Sequence, residues 1–292
     1  MSRPDHLAVA VSVLRCLAMV LAASFAATGF ASGFRIGDAP PHLAPDGNDA
    51  YRQFLAAVPH RAFAIAPGGA WGWEEGAASA DDTAEATLAA CGDNTRQTCV
   101  LYAVDKRLVF DARAWVRLWG PYADEATAQR APAGRLRGER FPDLAFTDAG
   151  GRPGRVSSLR GKVAVLHFWG SWCKPCRQEM PQLQTLSESL RDRGDVTFVL
   201  LQTREPFAVS RRWAFEQGLR LPLFDSGSRG EEDAQFRLAG GGSMRDREVA
   251  AVFPTTYVLD KRGLVVFSHV GPVSDWSQYK AFLLDAARRS GR

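Results

Sequence analysis

The apolar positions of the C-terminal half fall into runs that alternate with helical stretches. Two almost unbroken runs, Val163–Trp169 and Val196–Gln202, are typical of central parallel strands buried on both faces. A third run, Thr255–Leu259, is followed by a turn and by Leu264–His269, which together predict a hairpin. Helices are predicted over Cys173–Leu190, Ala208–Gln217 and Asp275–Arg289. This order of elements predicts an α/β domain over residues 141–292.

A smaller set of elements precedes this domain. Arg61–Pro67 has the pattern of a strand and is followed by a turn and a partner strand, and Val100–Val104 begins a hairpin. Ser79, with Asp82 three residues later, is typical of a helix start, because the serine hydroxyl can accept an N–H of the first turn. These elements predict a small α+β domain over residues 50–122.

Three segments lack a periodic apolar pattern. Gly33–Asn48 contains Pro40, Pro41 and Pro45 and predicts an irregular leader. Residues 123–140, rich in Ala, Arg, Gly and Pro, predict a linker between the two domains. The glycine-rich and charged segment Leu238–Arg247 lies just before the third apolar run. It has two open interpretations: it shapes a substrate groove, or it is mobile.

The first 31 residues have the pattern of a secretory signal peptide. Arg3 and Arg15 precede the uncharged run Cys16–Ala27, and the small residues Gly29 and Ala31 suit a signal peptidase. The run is shorter than the ~20 residues of a membrane-spanning helix. Cleavage and export are therefore predicted, with an uncleaved membrane anchor as the alternative.

Charge and cysteine content narrow the class of protein. Among 292 residues, 36 basic and 32 acidic side chains leave a net charge of +4. This even balance gives no argument for nucleic acid or an acidic membrane surface as a partner. Removal of the signal would take Cys16 with it and leave four of the five cysteines, an even number typical of two pairs in an exported protein.

The first pair, Cys91 and Cys99, suits a structural disulfide. Cys91 ends the predicted helix and Cys99 begins a strand, so a bond between them would join helix to sheet. Closing so short a loop stabilises a fold by roughly 2–3 kcal/mol. A redox role is disfavoured, because the spacing is wide and no helix N-terminus lies near.

The second pair, Cys173 and Cys176, has the Cys-x-x-Cys spacing of a redox-active disulfide. Cys173 lies between a buried strand and a helix, where free N–H groups and the helix dipole stabilise a thiolate. Lys174 adds positive charge that lowers the thiol pKa further, and Pro175 restricts the turn. The end of the strand leaves Trp172 and Cys173 exposed, where open α/β sheets place their sites. A zinc site would need further ligands at suitable spacing, so no metal is predicted.

Residues 141–292 carry a set of motifs that resembles the TlpA/ResA family. The motifs are Phe141-Pro-Asp-Leu, Leu159-Arg-Gly-Lys162, Phe168-Trp-Gly-Ser-Trp-Cys-Lys-Pro-Cys176, Glu179-Met-Pro181 and Phe253-Pro-Thr-Thr256. Members are thioredoxin-fold thiol–disulfide oxidoreductases of the bacterial cell envelope. The resemblance implies a central mixed sheet flanked by helices and a periplasmic location, or anchoring at the inner membrane if the signal stays uncleaved. It implies no cofactor besides the redox-active disulfide. The N-terminal region resembles, more weakly, a small secreted domain of unknown function.

The resemblance also implies roles for single residues. Cys173 takes the role of the attacking cysteine and Cys176 that of the resolving one. Pro254 falls where the family has a cis proline that faces the active site, beside backbone that pairs with the substrate. The residues expected to contact substrate are Trp172, Lys174, Pro175, Phe253 and Thr255.

Two further residues are candidates for proton transfer. Glu179 falls where ResA-like members carry a glutamate that handles protons for the buried cysteine; the alternative is an acid that only complements the helix dipole. His167 departs from thioredoxins, which hold a buried aspartate at this strand position. It either takes part in proton transfer or is a packed core histidine.

The resemblance implies reduction of disulfides in exported proteins, such as apocytochrome c or copper-site assembly proteins. Electrons would come from a membrane protein of the DsbD/CcdA kind. Two alternatives use the same thiols: a disulfide oxidase or isomerase, and a module that binds and delivers Cu(I). Peroxidase chemistry is disfavoured, because peroxiredoxins rely on a lone cysteine without this motif.

Overall fold

The computed structural model describes residues 35–232 and 234–292. The predicted signal peptide, residues 1–31, lies outside these ranges. Within them, no helix is both long and apolar enough to cross a membrane. The described residues contain a four-stranded sheet, a seven-stranded sheet and a two-stranded hairpin.

The four-stranded sheet is built from the N-terminal region and is antiparallel throughout. Its strands and helices are α1 (Pro45–Ala56), β1 (Arg61–Ile65), β2 (Trp71–Glu75), α2 (Ala80–Gly92), β3 (Val100–Val104) and β4 (Arg107–Leu108). The strands lie in the order β2-β1-β3-β4. Helix α2 packs so closely on β2 that a side chain at Gly72 would collide with the α2 backbone at Thr87 and Cys91.

The helix starts of this region bear out one prediction and correct another. Ser79 caps α2 as predicted, since its hydroxyl accepts the N–H of Asp82 at 3.1 Å. Helix α1, however, begins at Pro45, inside the segment predicted to be an irregular leader. Proline suits the first turn of a helix, where its missing N–H has no partner to lose. The helix is stabilised by packing, because Phe54 is fully buried against Phe63 of β1.

A disulfide joins Cys91, in the last turn of α2, to Cys99, just before β3, with the Cα atoms 6.2 Å apart. The predicted pairing is therefore present. Replacing both cysteines by serine is expected to lower the free energy of unfolding by about 2–3 kcal/mol, because the denatured chain regains the freedom of the loop. Urea unfolding of the two proteins measures the difference.

The same double variant should keep whatever activity depends on Cys173 and Cys176, because those two cysteines lie at the start of a helix outside the four-stranded sheet. Loss of that activity in a folded double variant would contradict a purely structural role for Cys91 and Cys99.

The predicted linker has structure of its own. After α3 (Ala112–Trp115), it holds α4 (Glu125–Arg130), which the sequence did not predict because so short a polar helix has no apolar period. Arg137 donates to the carbonyls of residues 118, 119 and 120. The backbone of residues 138–139 exchanges hydrogen bonds with Val265. The segment is thus attached near its C-terminal end, both to residues 118–120 and to Val265.

The seven-stranded sheet is mixed. Its strands and flanking elements are β5 (Ala145–Asp148), β6 (Pro153–Arg155), β7 (Val163–Trp169), α5 (Lys174–Glu188), β8 (Val196–Gln202), α6 (Phe207–Glu216), β9 (Leu223–Asp225), and, after a hairpin, β12 (Thr255–Leu259), β13 (Val265–Val270) and α8 (Lys280–Arg289). The order is β13-β12-β7-β8-β9-β5-β6. Strands β7, β8 and β9 are parallel, and the other neighbours are antiparallel. This is the α/β thioredoxin fold that the resemblance implies.

The glycine-rich segment Leu238–Arg247 belongs to a hairpin between β9 and β12, and we call this hairpin together with the helix after it the insertion. Its strands are β10 (Gln235–Arg237) and β11 (Ser243–Arg245), which pair antiparallel, and a short helix, α7 (Asp246–Val249), follows directly. Asp246, the first residue of α7, is buried. Its carboxylate pairs with Arg204 at 2.6 Å, so the insertion is joined to the loop after β8 through a largely buried ion pair.

The four-stranded and the seven-stranded sheets share one hydrophobic core. Trp119, which follows the small sheet, packs with its ring 5.0 Å from that of Phe267 in β13. His42 stacks on Tyr279 with ring centroids 4.2 Å apart. The described residues accordingly form a single contact unit, although the sequence predicts a small domain and a thioredoxin-like domain within them.

Candidate active site

The turn after β7 places the two cysteines at the N-terminus of α5. Cys173 is the N-cap residue, and Cys176 lies in the first turn. Their sulfurs form a disulfide, with the Cα atoms 5.3 Å apart. The Sγ atom of Cys173 also accepts the N–H of Cys176 at 3.2 Å. The helix thus already offers a donor to the sulfur that would carry negative charge after reduction.

The two cysteines differ in their access to solvent. Cys173 is 5% exposed and Cys176 is fully buried. The prediction that Cys173 is exposed is wrong for this oxidised state, because its sulfur is bonded to Cys176 and drawn onto the helix end. Trp172 is exposed as predicted. Of the two cysteines, Cys173 is the one that a partner can reach.

A buried carboxylate holds the turn before Cys173. Glu205, in the loop after β8, accepts the N–H of Ser171 at 2.7 Å and its hydroxyl at 2.5 Å. The hydroxyl of Ser210 in α6 donates to the same carboxylate at 2.5 Å. These donors satisfy an acid that is only 7% exposed. Glu205 was not predicted as a site residue from the sequence, although residues just after a central strand are typical site positions.

The cis-proline loop lies beside the redox pair. The bond between Phe253 and Pro254 is cis, as the resemblance implies. Phe253 lies edge to face against Trp172, with the ring centroids 5.5 Å apart. Thr255 begins β12 and pairs with Phe168 near the end of β7. The loop is therefore at the same end of the sheet as the cysteines.

The other predicted substrate contacts differ in their surroundings. Lys174 is exposed at the start of α5, and Pro175 is partly buried beside it. The side chain of Thr255 is buried, and its hydroxyl donates to the carbonyl of Val252 at 2.6 Å. That side chain is therefore engaged within the loop rather than open to a substrate.

The structure brings together the two residues predicted for proton transfer. The Nε2 atom of His167 lies 3.4 Å from the Oε1 atom of Glu179. Neither atom has a hydrogen-bond partner within residues 35–232 and 234–292. The Nδ1 atom of His167 contacts the hydroxyl of Thr256 at 2.9 Å. The other oxygen of Glu179 accepts the N–H of Val273 at 2.9 Å and the indole N–H of Trp276 at 3.0 Å.

Burial sets the charge of this pair. It lowers the pKa of His167 to about 3, so the imidazole is neutral. It raises the pKa of Glu179 to about 7, against the two hydrogen bonds that lower it. Glu179 lies one helical turn after Cys176, on the same buried face of α5. A carboxyl group that titrates near neutral pH therefore lies close along the helix to the buried cysteine.

A dithiol that closes into a disulfide ring at a helix N-terminus is suited to exchange with other thiols and disulfides. Carried on a mixed sheet of this strand order, with a cis proline next to it, the pair defines a thioredoxin-fold thiol–disulfide oxidoreductase.

Comparison with known proteins gives the family. Redoxin matches residues 136–283, just over half of the chain, so the chain belongs to the redoxin family. Its thioredoxin-fold segment is of the TlpA/ResA type. The matched residues leave out the four-stranded sheet.

The chain is similar to proteins that are named thioredoxin-like or thiol-disulfide oxidoreductase. Thioredoxin-like protein YneN of Bacillus subtilis (strain 168) is 29% identical over 149 residues, 51% of this chain and 79% of that protein. Thiol-disulfide oxidoreductase ResA of Geobacillus thermodenitrificans (strain NG80-2) is 32% identical over 128 residues, 44% of this chain and 66% of that protein. A solved thiol:disulfide interchange protein of Chlorobium tepidum TLS is 23% identical, with a TM-score of 0.37, over 51% of this chain and 95% of that one.

Proposed function

We propose that this protein reduces disulfides of exported client proteins in the periplasm, by dithiol–disulfide exchange. The observation that carries the proposal is the asymmetry of the redox pair. Cys173 keeps contact with solvent, whereas its partner Cys176 is fully buried one turn before the buried Glu179. A client disulfide can meet only the first sulfur, and the second is placed to resolve the product. Export rests on the predicted signal at residues 1–31.

The proposed cycle begins with the reduced pair. The thiolate of Cys173 attacks one client sulfur, the client S–S bond breaks, and the other client sulfur leaves as a thiolate that takes a proton from water. Cys176 then gives its proton to the carboxylate of Glu179, and its thiolate attacks the Sγ atom of Cys173. The mixed disulfide breaks and the second client thiolate leaves and is protonated. Two electrons have passed to the client, and the Cys173–Cys176 disulfide is the oxidised end point.

His167 supports the proton step in this proposal. It is neutral and faces the carboxyl of Glu179, so its Nε2 atom can accept a hydrogen bond from that carboxyl once Glu179 has taken the proton of Cys176. With a pKa of about 3, His167 does not take the proton itself.

The oxidised pair must then be reduced by another dithiol before it can act again. The TlpA/ResA resemblance favours a membrane protein of the DsbD/CcdA kind as the electron donor. It favours apocytochrome c or copper-site assembly proteins as clients.

The reduction potential tests the direction of exchange. Equilibration of the Cys173–Cys176 pair in glutathione buffers, followed by alkylation and mass measurement, gives its value. We expect a potential near that of thioredoxin, about −270 mV, at which the pair donates electrons. A value near about −120 mV would contradict the reductase proposal and favour a disulfide oxidase. The Cu(I) alternative instead requires tight copper binding to the reduced protein that is lost in Cys176→Ala.

A further inference from the structure

An arginine in the loop after β8 lies over both aromatic rings beside the redox pair. The Cζ atom of Arg204 is 5.5 Å from the centroid of the Trp172 ring and 5.0 Å from that of Phe253. The two rings lie edge to face against each other. Because a guanidinium within about 6 Å of an aromatic ring is attracted by its π electrons, Arg204 holds the two rings together.

Arg204 is itself fixed by the insertion before β12. Its Nε atom donates to the Oδ2 atom of Asp246 at 2.6 Å, and Asp246 is 3% exposed. Its backbone N–H donates to the hydroxyl of Ser228 at 2.9 Å. The φ angle of Arg204 is 61°, a left-handed conformation that is uncommon for residues other than glycine. An unusual backbone and a buried ion pair thus direct one guanidinium towards the site.

On the side of Cys173 away from the exposed Lys174, Trp172 and the cis-proline loop present an apolar surface. The indole N–H of Trp172 is satisfied, since it donates to the carbonyl of Thr203 at 2.9 Å. Trp172 is 43% exposed and Val252, in the cis-proline loop, is 53% exposed. The side chain of Arg204 is only 12% exposed. The indole N–H of Trp172 and the guanidinium of Arg204 are therefore turned inward, and the ring of Trp172 and the methyl groups of Val252 are turned outward.

We propose that Arg204, held by Asp246, is a positioning residue that fixes Trp172 against Phe253 and so builds a platform for an apolar side chain of the client. This inference rests on the proposed function. A client sulfur bonded to Cys173 lies next to Trp172, so the residue beside the client cysteine meets the platform. An apolar side chain gains by covering the exposed ring, whereas a polar one loses water and finds no partner. The preferred substrates are thus disulfides in which an apolar residue adjoins the cysteine.

Three substrates test this inference. Two are cyclic peptides closed by one disulfide, identical except for leucine or serine before the first cysteine, and the third is hydroxyethyl disulfide. The unmodified protein should reduce the leucine peptide with a kcat/KM roughly 10-fold above that of the serine peptide. Arg204→Met and Asp246→Asn should each remove the preference by raising KM for the leucine peptide. Both variants should keep kcat, and keep the rate on hydroxyethyl disulfide within about two-fold.

The chain offers a matched control in α8. Arg289 is paired with the buried Asp285, and its Cζ atom lies 5.3 Å from the centroid of the Tyr122 ring. Asp285→Asn therefore breaks a similar ion pair away from the site, and the peptide preference should persist. Equal kcat/KM for the two peptides in the unmodified protein would overturn the inference, as would loss of hydroxyethyl disulfide reduction in Arg204→Met. If the unmodified protein reduced none of the three substrates, the proposed function itself would fail.

Discussion

Replacement of Cys173 by serine is expected to lower disulfide reduction to the uncatalysed rate. Cys173 is the cysteine of the redox pair with solvent contact, and the fully buried Cys176 cannot replace it as the attacking group. The helix N-terminus that activates the first sulfur would also be left without a thiolate to stabilise. Dithiothreitol-driven reduction of insulin, followed by turbidity, measures the loss. If Cys173→Ser retained this activity, the proposed mechanism would be wrong.

Cys176→Ser is the matched variant, because it removes the same atom type three residues away. Attack by Cys173 remains possible, but no second thiol resolves the product, so the protein should stall as a mixed disulfide with its client. Non-reducing electrophoresis of cell-envelope extracts would show the adduct, and mass spectrometry would identify the partner. An adduct formed by Cys173→Ser and not by Cys176→Ser would reverse the assigned order of the two cysteines.

Glu179→Gln is expected to slow resolution of the mixed disulfide roughly 100-fold above neutral pH, because a general base is lost. Glutamine can still accept the N–H groups of Val273 and Trp276, so the fold should survive. In the unmodified protein the rate should fall below pH 7, since a carboxyl with a pKa of about 7 is then protonated and cannot accept a proton. Rapid-mixing measurements across pH should show this inflection, and Glu179→Gln should lack it.

Glu188→Gln is the control on the same helix, since Glu188 is partly exposed and pairs only with Arg191 among the ion pairs of the described chain. It should leave both the rate and its pH profile unchanged. If Glu179→Gln behaved in the same way, Glu179 would serve the helix dipole alone.

Glu179→Gln should also change how the free energy of unfolding of the oxidised protein depends on pH. Glu179 binds its proton more tightly when folded, because its pKa rises from 4.5 to about 7. Stability therefore falls by roughly 3 kcal/mol as pH rises between these values. His167, whose pKa falls from 6.5 to about 3, has the opposite effect, and stability is lost as pH drops through that range. The two effects cancel from about pH 4.5 to 6.5, so the His167–Glu179 pair adds no net dependence of stability on pH in that range.

Urea unfolding at a series of pH values separates the two groups. Glu179→Gln removes the glutamate effect alone, so the unmodified protein should lose roughly 3 kcal/mol of stability relative to the variant as pH rises from 4.5 to 7. Parallel curves for the variant and the unmodified protein would contradict the assigned pKa of Glu179.

The central strands and the redox turn were predictable because their signals are local. β7, β8 and β12 have the predicted bounds, since unbroken apolar runs bury both faces of a strand. The cysteines follow β7 directly, so their position at a helix N-terminus could be read from adjacent residues. Helix α1 was missed because it begins at Pro45, in a proline-containing segment that was interpreted as irregular. Helix α4 was missed because its six mostly polar residues are too few to show an apolar period.

Contacts between distant residues could not be predicted in the same way. The sequence singled out His167 and Glu179 separately, but their contact depends on how α5 packs against β7. Arg204 and Asp246 are 42 residues apart and meet only because the insertion folds back onto the loop after β8. The sequence signal available for this loop was the pair of charged residues Arg204 and Glu205, which follow closely after a central strand.

The core shared by the two sheets ties the redox site to the oxidation state of a remote bond. Because Trp119 packs on Phe267, the small sheet cannot separate from the large one without exposing aromatic surface to water. Stabilisation by the Cys91–Cys99 bond therefore extends to the scaffold of Cys173. A chain that matures where this bond cannot form would have the same catalytic turn but a lower free energy of unfolding. The stability of the scaffold that carries the redox site is therefore expected to depend on whether the protein matures where the Cys91–Cys99 bond can form.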